Sequence, residues 1–204
     1  MQNNFFSVGI TGGIGSGKSL ISNIFSVFGV PVYDADTRGK WLLTHDEKLK
    51  QEVISYFGEE SFDAQGQPNR SYLAQTIFND EAKRQQLNQL VHPRVGQDYQ
   101  RWREEHAAYA YTLKEAALLF ESGSYQQLDC IINVNADAEV RIRRVLLRDP
   151  QRSRQQVEAI MQKQWTDEER ARNADYTLVN DERKLLTPQL IQLHQKLLQA
   201  SAKT

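Results

Sequence analysis

At 204 residues the chain exceeds the commonest domain size of about 100–150 residues, which suits one core carrying an inserted or appended element and disfavours two equal domains. Its 40% hydrophobic and 25% charged residues can bury a core, which argues against global disorder. With 25 Lys and Arg against 26 Asp and Glu the net charge is −1, no signature of a general polyanion binder, and the lone Cys130 excludes an internal disulfide and a cysteine-rich metal site.

The first 33 residues hold one charged side chain, Lys18, a pattern that raises a signal or membrane segment. No basic residue precedes Phe5, and glycines interrupt the run from Gly9 to Gly17, so a reduced, soluble, cytoplasmic protein is expected instead. Phe5 to Ile10 is apolar and strand-forming. The glycine loop from Thr11 to Ser19 follows, and then Leu20, Ile21, Ile24, Phe25 and Phe28 at helical spacing. Gly29 ends that helix, and Val30 to Tyr33 reads as a second strand stopping at Asp34-Ala35-Asp36. So short a return predicts a parallel sheet.

From Thr37 to about Ala108 the sequence is polar and mostly helical, broken at Asp63–Asn69, with Pro93 expected in the first turn of a new helix after His92. Seventy residues without a core strand exceed one crossover helix, so this stretch reads as a helical insertion. Strand-like sequence returns at Tyr111–Leu113, running into Ala116–Phe120, then at Cys130–Val134 and Tyr176–Val179, ahead of a helix from about Glu182 to Leu198. That makes five candidate strands separated by helices in an α/β fold. There is no internal repeat or flexible linker.

Gly12-(four residues)-Gly17-Lys18-Ser19 fits the phosphate-binding loop, with a strand before it and an amphipathic helix after it. Gly13, Ile14, Gly15, Ser16 and Gly17 would turn backbone N–H groups around phosphate oxygens, and the helix would add its positive end. Lys18 would bridge the terminal phosphates, Ser19 would ligate Mg²⁺, and Leu20 would supply a helix-start amide. The implied ligand is a nucleotide triphosphate with Mg²⁺. Asp36-Thr37-Arg38-Gly39 resembles a GTPase switch, but no Asn-Lys-x-Asp guanine motif exists, and the strong hydrophobic strand ending in Asp that transport ATPases use is missing. A small-molecule kinase remains.

Phosphoryl transfer to a hydroxyl needs a proton acceptor and positive charge around the moving group. Asp36, at the end of the second strand, is the chosen base, with Asp34 capping the following helix; the plainer alternative has both acids merely capping. Six arginines and one acid, Asp149, lie between Arg141 and Arg154. Arg141, Arg144 and Arg148 share one helical stripe, suited to a lid that closes over ATP, whereas a solvated face or a nucleic-acid patch is the plainer reading. Glu115 and Glu121 flank the third strand, and either could hold Mg²⁺ through water. Trp41, Trp102 and Trp165 read as packing or surface residues.

These residues resemble the dephospho-coenzyme A kinase family over nearly the whole chain. The likeness rests on Ile10–Ser19, Val32–Asp36, Asn69-Arg70, Leu90–Pro93, Leu118–Gly123, Arg144 with Arg148-Asp149, and Ala174–Tyr176 with Asn180. It implies a three-layer P-loop kinase fold with a five-stranded parallel sheet. Residues 1–34 and 110–204 would form the nucleotide core, 35–109 a helical insertion for the CoA substrate, and 141–170 a helical lid. The implied reaction moves the γ-phosphate of ATP to the ribose 3′-hydroxyl of dephospho-CoA, giving CoA and ADP. Asp36 matches the base, Lys18 and Ser19 the phosphate and Mg²⁺ contacts, Arg144 the lid arginine and Arg148 a second one. Arg70, His92 and Pro93 match segments on the CoA side. Where many members carry proline, this chain has Ala117. Rivals are a nucleoside monophosphate kinase or another small-metabolite kinase, and a nucleotide-gated nucleic-acid binder; neither a nucleic-acid nor a membrane partner is expected, and no oligomeric state is specified.

Overall fold

A computed structural model describes residues 6–78 and 80–203 of the chain. Strand β1 (Ser7–Thr11) is buried at every residue and paired on both sides, which suits a run without charge. Phe5, expected to open it, lies outside the described residues. Helix α1 (Lys18–Val27) follows the glycine loop. Then come β2 (Val32–Asp34), α2 (Ala35–His45), α3 (Glu47–Phe57), α4 (Arg70–Phe78) and α5 (Glu81–Glu105). The chain continues through β3 (Thr112–Glu115), β4 (Cys130–Asn135), α6 (Ala138–Arg148), α7 (Arg154–Gln162), α8 (Asp167–Asn173), β5 (Tyr176–Val179) and α9 (Leu186–Ser201).

The strands form one parallel sheet in the order β2-β3-β1-β4-β5. Register brings three carboxyl ends level, since Glu115 pairs with Ile10 on one side and with Asp34 on the other. Val8, Ile10, Leu113, Ile132, Val134 and Leu178 pack with Ile21 and Phe25 of α1 and with Leu190, Leu193 and Leu197 of α9. Each such side chain contributes roughly 1.5–3 kcal/mol by leaving water. On β1, Gly9 lets Leu119 and Leu128 approach, for a β-carbon there would lie 2.8 and 2.7 Å from their methyl carbons. Cys130 belongs to this core; burial, aided by Asp175, pushes its thiol up to about 12, which makes it a packing residue without nucleophilic character.

Two compact units divide the chain, one of residues 1–34 and 103–204, the other of residues 35–102. The second unit is helical. Asp46 caps α3 by accepting from the Leu49 amide at 3.0 Å, and Leu49, Val53 and Phe57 face inward one turn apart. Charge ties its helices together: Arg38 grips Asp98 with two bonds of 2.8 and 2.6 Å, and Arg94 reaches Glu52 at 2.8 Å.

Three local expectations change. Pro93 lies inside α5 instead of starting a helix. The carbonyl it strips of a partner belongs to Gln89, which is exposed, so water can satisfy it. Strand β3 ends at Glu115, and Ala116–Phe120 leave the sheet as a turn that folds Leu119 back over Gly9. Helix α9 starts at Leu186 instead of Glu182, because Asp181 accepts from the amides of Arg183 and Lys184 in a local turn and Glu182 takes a left-handed φ of 68°.

Under the sheet, Nδ1 of His194 and the Tyr111 hydroxyl lie 2.6 Å apart, and the imidazole packs 5.2 Å from Phe28. Burial holds His194 below its ordinary 6.5. The unfolded chain therefore takes up this proton first as pH falls, so this contribution is complete above 6.5 and declines below it. The melting temperature should drop between pH 7.5 and 6.0, and His194→Gln should flatten the drop; equal slopes in both proteins would refute the assignment.

Candidate active site

The glycine loop occupies the carboxyl end of the central strand, where ligands bind in open parallel sheets. Gly15 and Gly17 adopt φ of 78° and 96°, a region that side chains disfavour. Packing forbids them as well: a β-carbon at Gly15 would stand 2.5 Å from the Arg141 carbonyl oxygen, and one at Gly17 would stand 2.3 Å from Asn180 Nδ2. Helix α1 begins at Lys18, so the amides of Lys18, Ser19 and Leu20 are first-turn donors without partners inside the helix. The Leu20 side chain is exposed. Lys18 Nζ donates to the Gly12 carbonyl at 2.8 Å, folding the ammonium back over the loop.

Ser19 Oγ donates to Glu115 Oε1 at 2.7 Å, joining the helix start to the end of β3. Glu115 is buried, and Asp34 stands opposite it on β2. Among the described residues no three His, Cys, Asp or Glu side chains converge as a metal cage. Hydroxyl and carboxylate are hard oxygen donors, and Mg²⁺ takes few of them because it retains water and shares phosphate oxygens. The pair therefore fits that ion. Glu121 does something else, accepting from the Trp165 amide at 2.9 Å.

Helix α6 presents Arg141 and Arg144 to the loop. The side chain of Arg141 is buried, bonded to Asp167 at 2.9 Å, and so close that a β-carbon on Gly13 would fall 1.9 Å from its Nη1. Burial lowers its pKa, Asp167 opposes that shift and Arg170 adds to it. Arg144 reaches the Ser16 carbonyl and Asn180 Oδ1, each at 3.5 Å, and Glu182 at 3.3 Å. Arg148, one turn further on, is exposed. The expected stripe thus has two members on the loop and one in solvent.

Asp36 falls in the first turn of α2, two residues past the end of β2, and is exposed. It opens the helical unit, which also holds Arg70 at the start of α4 and His92 with Pro93 midway along α5, all exposed. Residues absent from the expected set complete the loop's surroundings. Asn180 Nδ2 donates to the Ser16 carbonyl at 2.8 Å, Gln164 Oε1 accepts from the Ile14 amide at 2.9 Å, and Arg170 binds Asp167 and the Trp165 carbonyl. Asn180 directly follows β5, so its place at a strand's carboxyl end was a usable signal; Gln164, in the bend between α7 and α8, and Arg170, inside α8, gave none. The tryptophans pack as expected, Trp165 stacking on Phe120 at 4.9 Å and Trp102 on Tyr99 at 6.1 Å.

A parallel α/β sheet whose middle strand feeds a glycine loop, a lysine and a serine bonded to a buried carboxylate, beside two inward arginines, defines a P-loop kinase. The family model described as dephospho-CoA kinase matches residues 6–185. A dephospho-CoA kinase of Bacteroides fragilis is 37% identical over 186 residues, 91% of this chain and 90% of the relative. A crystal structure from Thermus thermophilus superposes with a TM-score of 0.81 at 29% identity, over 96% of this chain and 97% of that one. The dephospho-CoA kinase of Campylobacter jejuni shares the fold with a TM-score of 0.70 at 22% identity, over 98% and 99% of the two chains. The chain belongs to the dephospho-CoA kinase family.

Proposed function

We propose that this chain moves the γ-phosphate of ATP to the ribose 3′-hydroxyl of dephospho-CoA, the last step of coenzyme A synthesis, in the cytoplasm. The observation that carries this reading is the Ser19–Glu115 bond beside the glycine loop, in a chain whose family is that of dephospho-CoA kinases. The loop amides and Lys18 hold the triphosphate, the lysine exchanging its bond to Gly12 for phosphate oxygen. Ser19 and Glu115 would hold Mg²⁺, which supplies charge neutralisation on the phosphate oxygens when bound. Asp36 accepts the proton of the attacking hydroxyl. Residues 35–109, with Arg70, His92 and Pro93, take the CoA-type substrate. The segment 141–170 acts as the lid, with Arg144 and Arg148 on ATP. No nucleic-acid role is needed, since Arg141 and Arg144 turn toward the loop instead of outward. No helix of the described residues is long and apolar enough to cross a membrane.

An acceptor panel tests the reading. Purified protein with ATP and Mg²⁺ should phosphorylate dephospho-CoA and leave AMP, UMP and shikimate unchanged, with ³¹P NMR placing the new ester on the 3′ oxygen. Turnover of AMP or UMP in place of dephospho-CoA would favour a nucleoside monophosphate kinase. For Arg144→Ala we expect kcat to fall about 100-fold while the KM for ATP changes little, because the guanidinium serves charge that develops during transfer. An unaltered kcat would leave Arg144 a brace for Ser16 and Asn180.

A further inference from the structure

A phosphate loop is defined by N–H groups available to a ligand, yet the Ile14 N–H is committed to a side chain 150 residues away, the carboxamide of Gln164. We infer that Gln164 is a positioning residue for phosphoryl transfer: it withdraws the Ile14 amide from the phosphate set and uses it to fix the first arm of the loop. This rests on the kinase reading above.

Glutamine is a poor anchor by itself, since holding it in one conformation costs rotamer freedom. Here its neighbours set its backbone beforehand. Trp165 stacks flat on Phe120, with ring planes 5° apart, and its amide donates to Glu121. Its carbonyl accepts from Arg170, which shares Asp167 with Arg141. The strap from Gln164 to Arg170 therefore meets the loop at two adjacent residues, by a hydrogen bond at Ile14 and by guanidinium contact at Gly13. The second arm has a separate holder, Asn180 on the Ser16 carbonyl. With one arm released, the loop would still fold, but its amides would lose a fixed aim at the charge that develops during transfer, and such aim is what electrostatic preorganisation requires.

Two substitutions separate aiming from mere stitching. Gln164→Met keeps length and removes the acceptor, whereas Gln164→Glu keeps an acceptor oxygen at the same reach. We expect Gln164→Met to lower kcat about tenfold with the KM for dephospho-CoA within twofold of the parent, as the loss of one aimed hydrogen bond implies. Gln164→Glu should recover most of kcat, its added charge appearing in the KM for ATP. A wild-type kcat in Gln164→Met, or an equal loss in both variants, would overturn the inference. Amide hydrogen exchange in the unsubstituted protein gives a readout that does not depend on variant folding: Ile14 should exchange at least tenfold more slowly than an unbonded loop amide, and unprotected exchange would also overturn it. Should the unsubstituted protein transfer nothing to dephospho-CoA, the proposed function falls, and the Ile14 exchange rate alone decides whether the strap holds the loop.

Discussion

Asp36→Asn should fold normally, bind ATP with Mg²⁺ as before and lose between about 100- and 10,000-fold in kcat, the range that a positioned general base supplies. The exchange of one oxygen for an amide nitrogen removes the proton acceptor while keeping size and shape, and it leaves the core untouched because the side chain lies at the exposed start of α2. Single-turnover transfer to dephospho-CoA, with calorimetry for ATP, measures both halves of the expectation. A rate within threefold of the parent would strip Asp36 of the base role and turn attention to Asp34, its neighbour at the end of β2.

Gly12→Ala should abolish ATP binding and lower the melting temperature. A β-carbon there would sit 2.3 Å from the Val134 carbonyl oxygen and 2.8 Å from Ser16 Oγ. The first of these atoms is backbone within β4 and cannot swing aside, unlike a long side chain. Overpacking of this kind costs about 1–3 kcal/mol or more, and relief requires the loop to lift away from the sheet, spoiling the amide cradle. Differential scanning calorimetry and ATP titration would show it; unaltered binding would mean that β4 and the loop are held less closely than the structure has them.

Much of this architecture was readable because periodicity and local chemistry coincide. Val8 and Ile10, then Ile132 and Val134, are uncharged alternations that only a sheet flanked on both sides can use, and the glycine spacing specifies a loop almost without context. Residues whose roles depend on distant partners were less legible. Glu115 was one of two acids offered for magnesium, and choosing it over Glu121 required seeing Ser19 on one and the Trp165 amide on the other. Gln164 could not be singled out, since a glutamine near Thr166 and Glu169 reads as surface sequence beside a capping box. Pro93 misled for a physical reason: proline ordinarily opens a helix, but a long helix tolerates it where the released carbonyl meets water.

The strand order has a consequence for how the molecule is made. The amino-terminal strand pairs with strands that emerge much later, Ser7 lying in register with Thr112 and Val8 with Cys130, and with nothing nearer in sequence within the sheet. A nascent chain therefore leaves the ribosome with its central, fully buried strand unmated until more than half of the polypeptide has been synthesised, while the intervening helices can close their own short-range contacts first. Chaperone dependence and slow, aggregation-exposed refolding from denaturant are the expected marks of that delay, and moving the termini into the segment between β3 and β4 by circular permutation should shorten it.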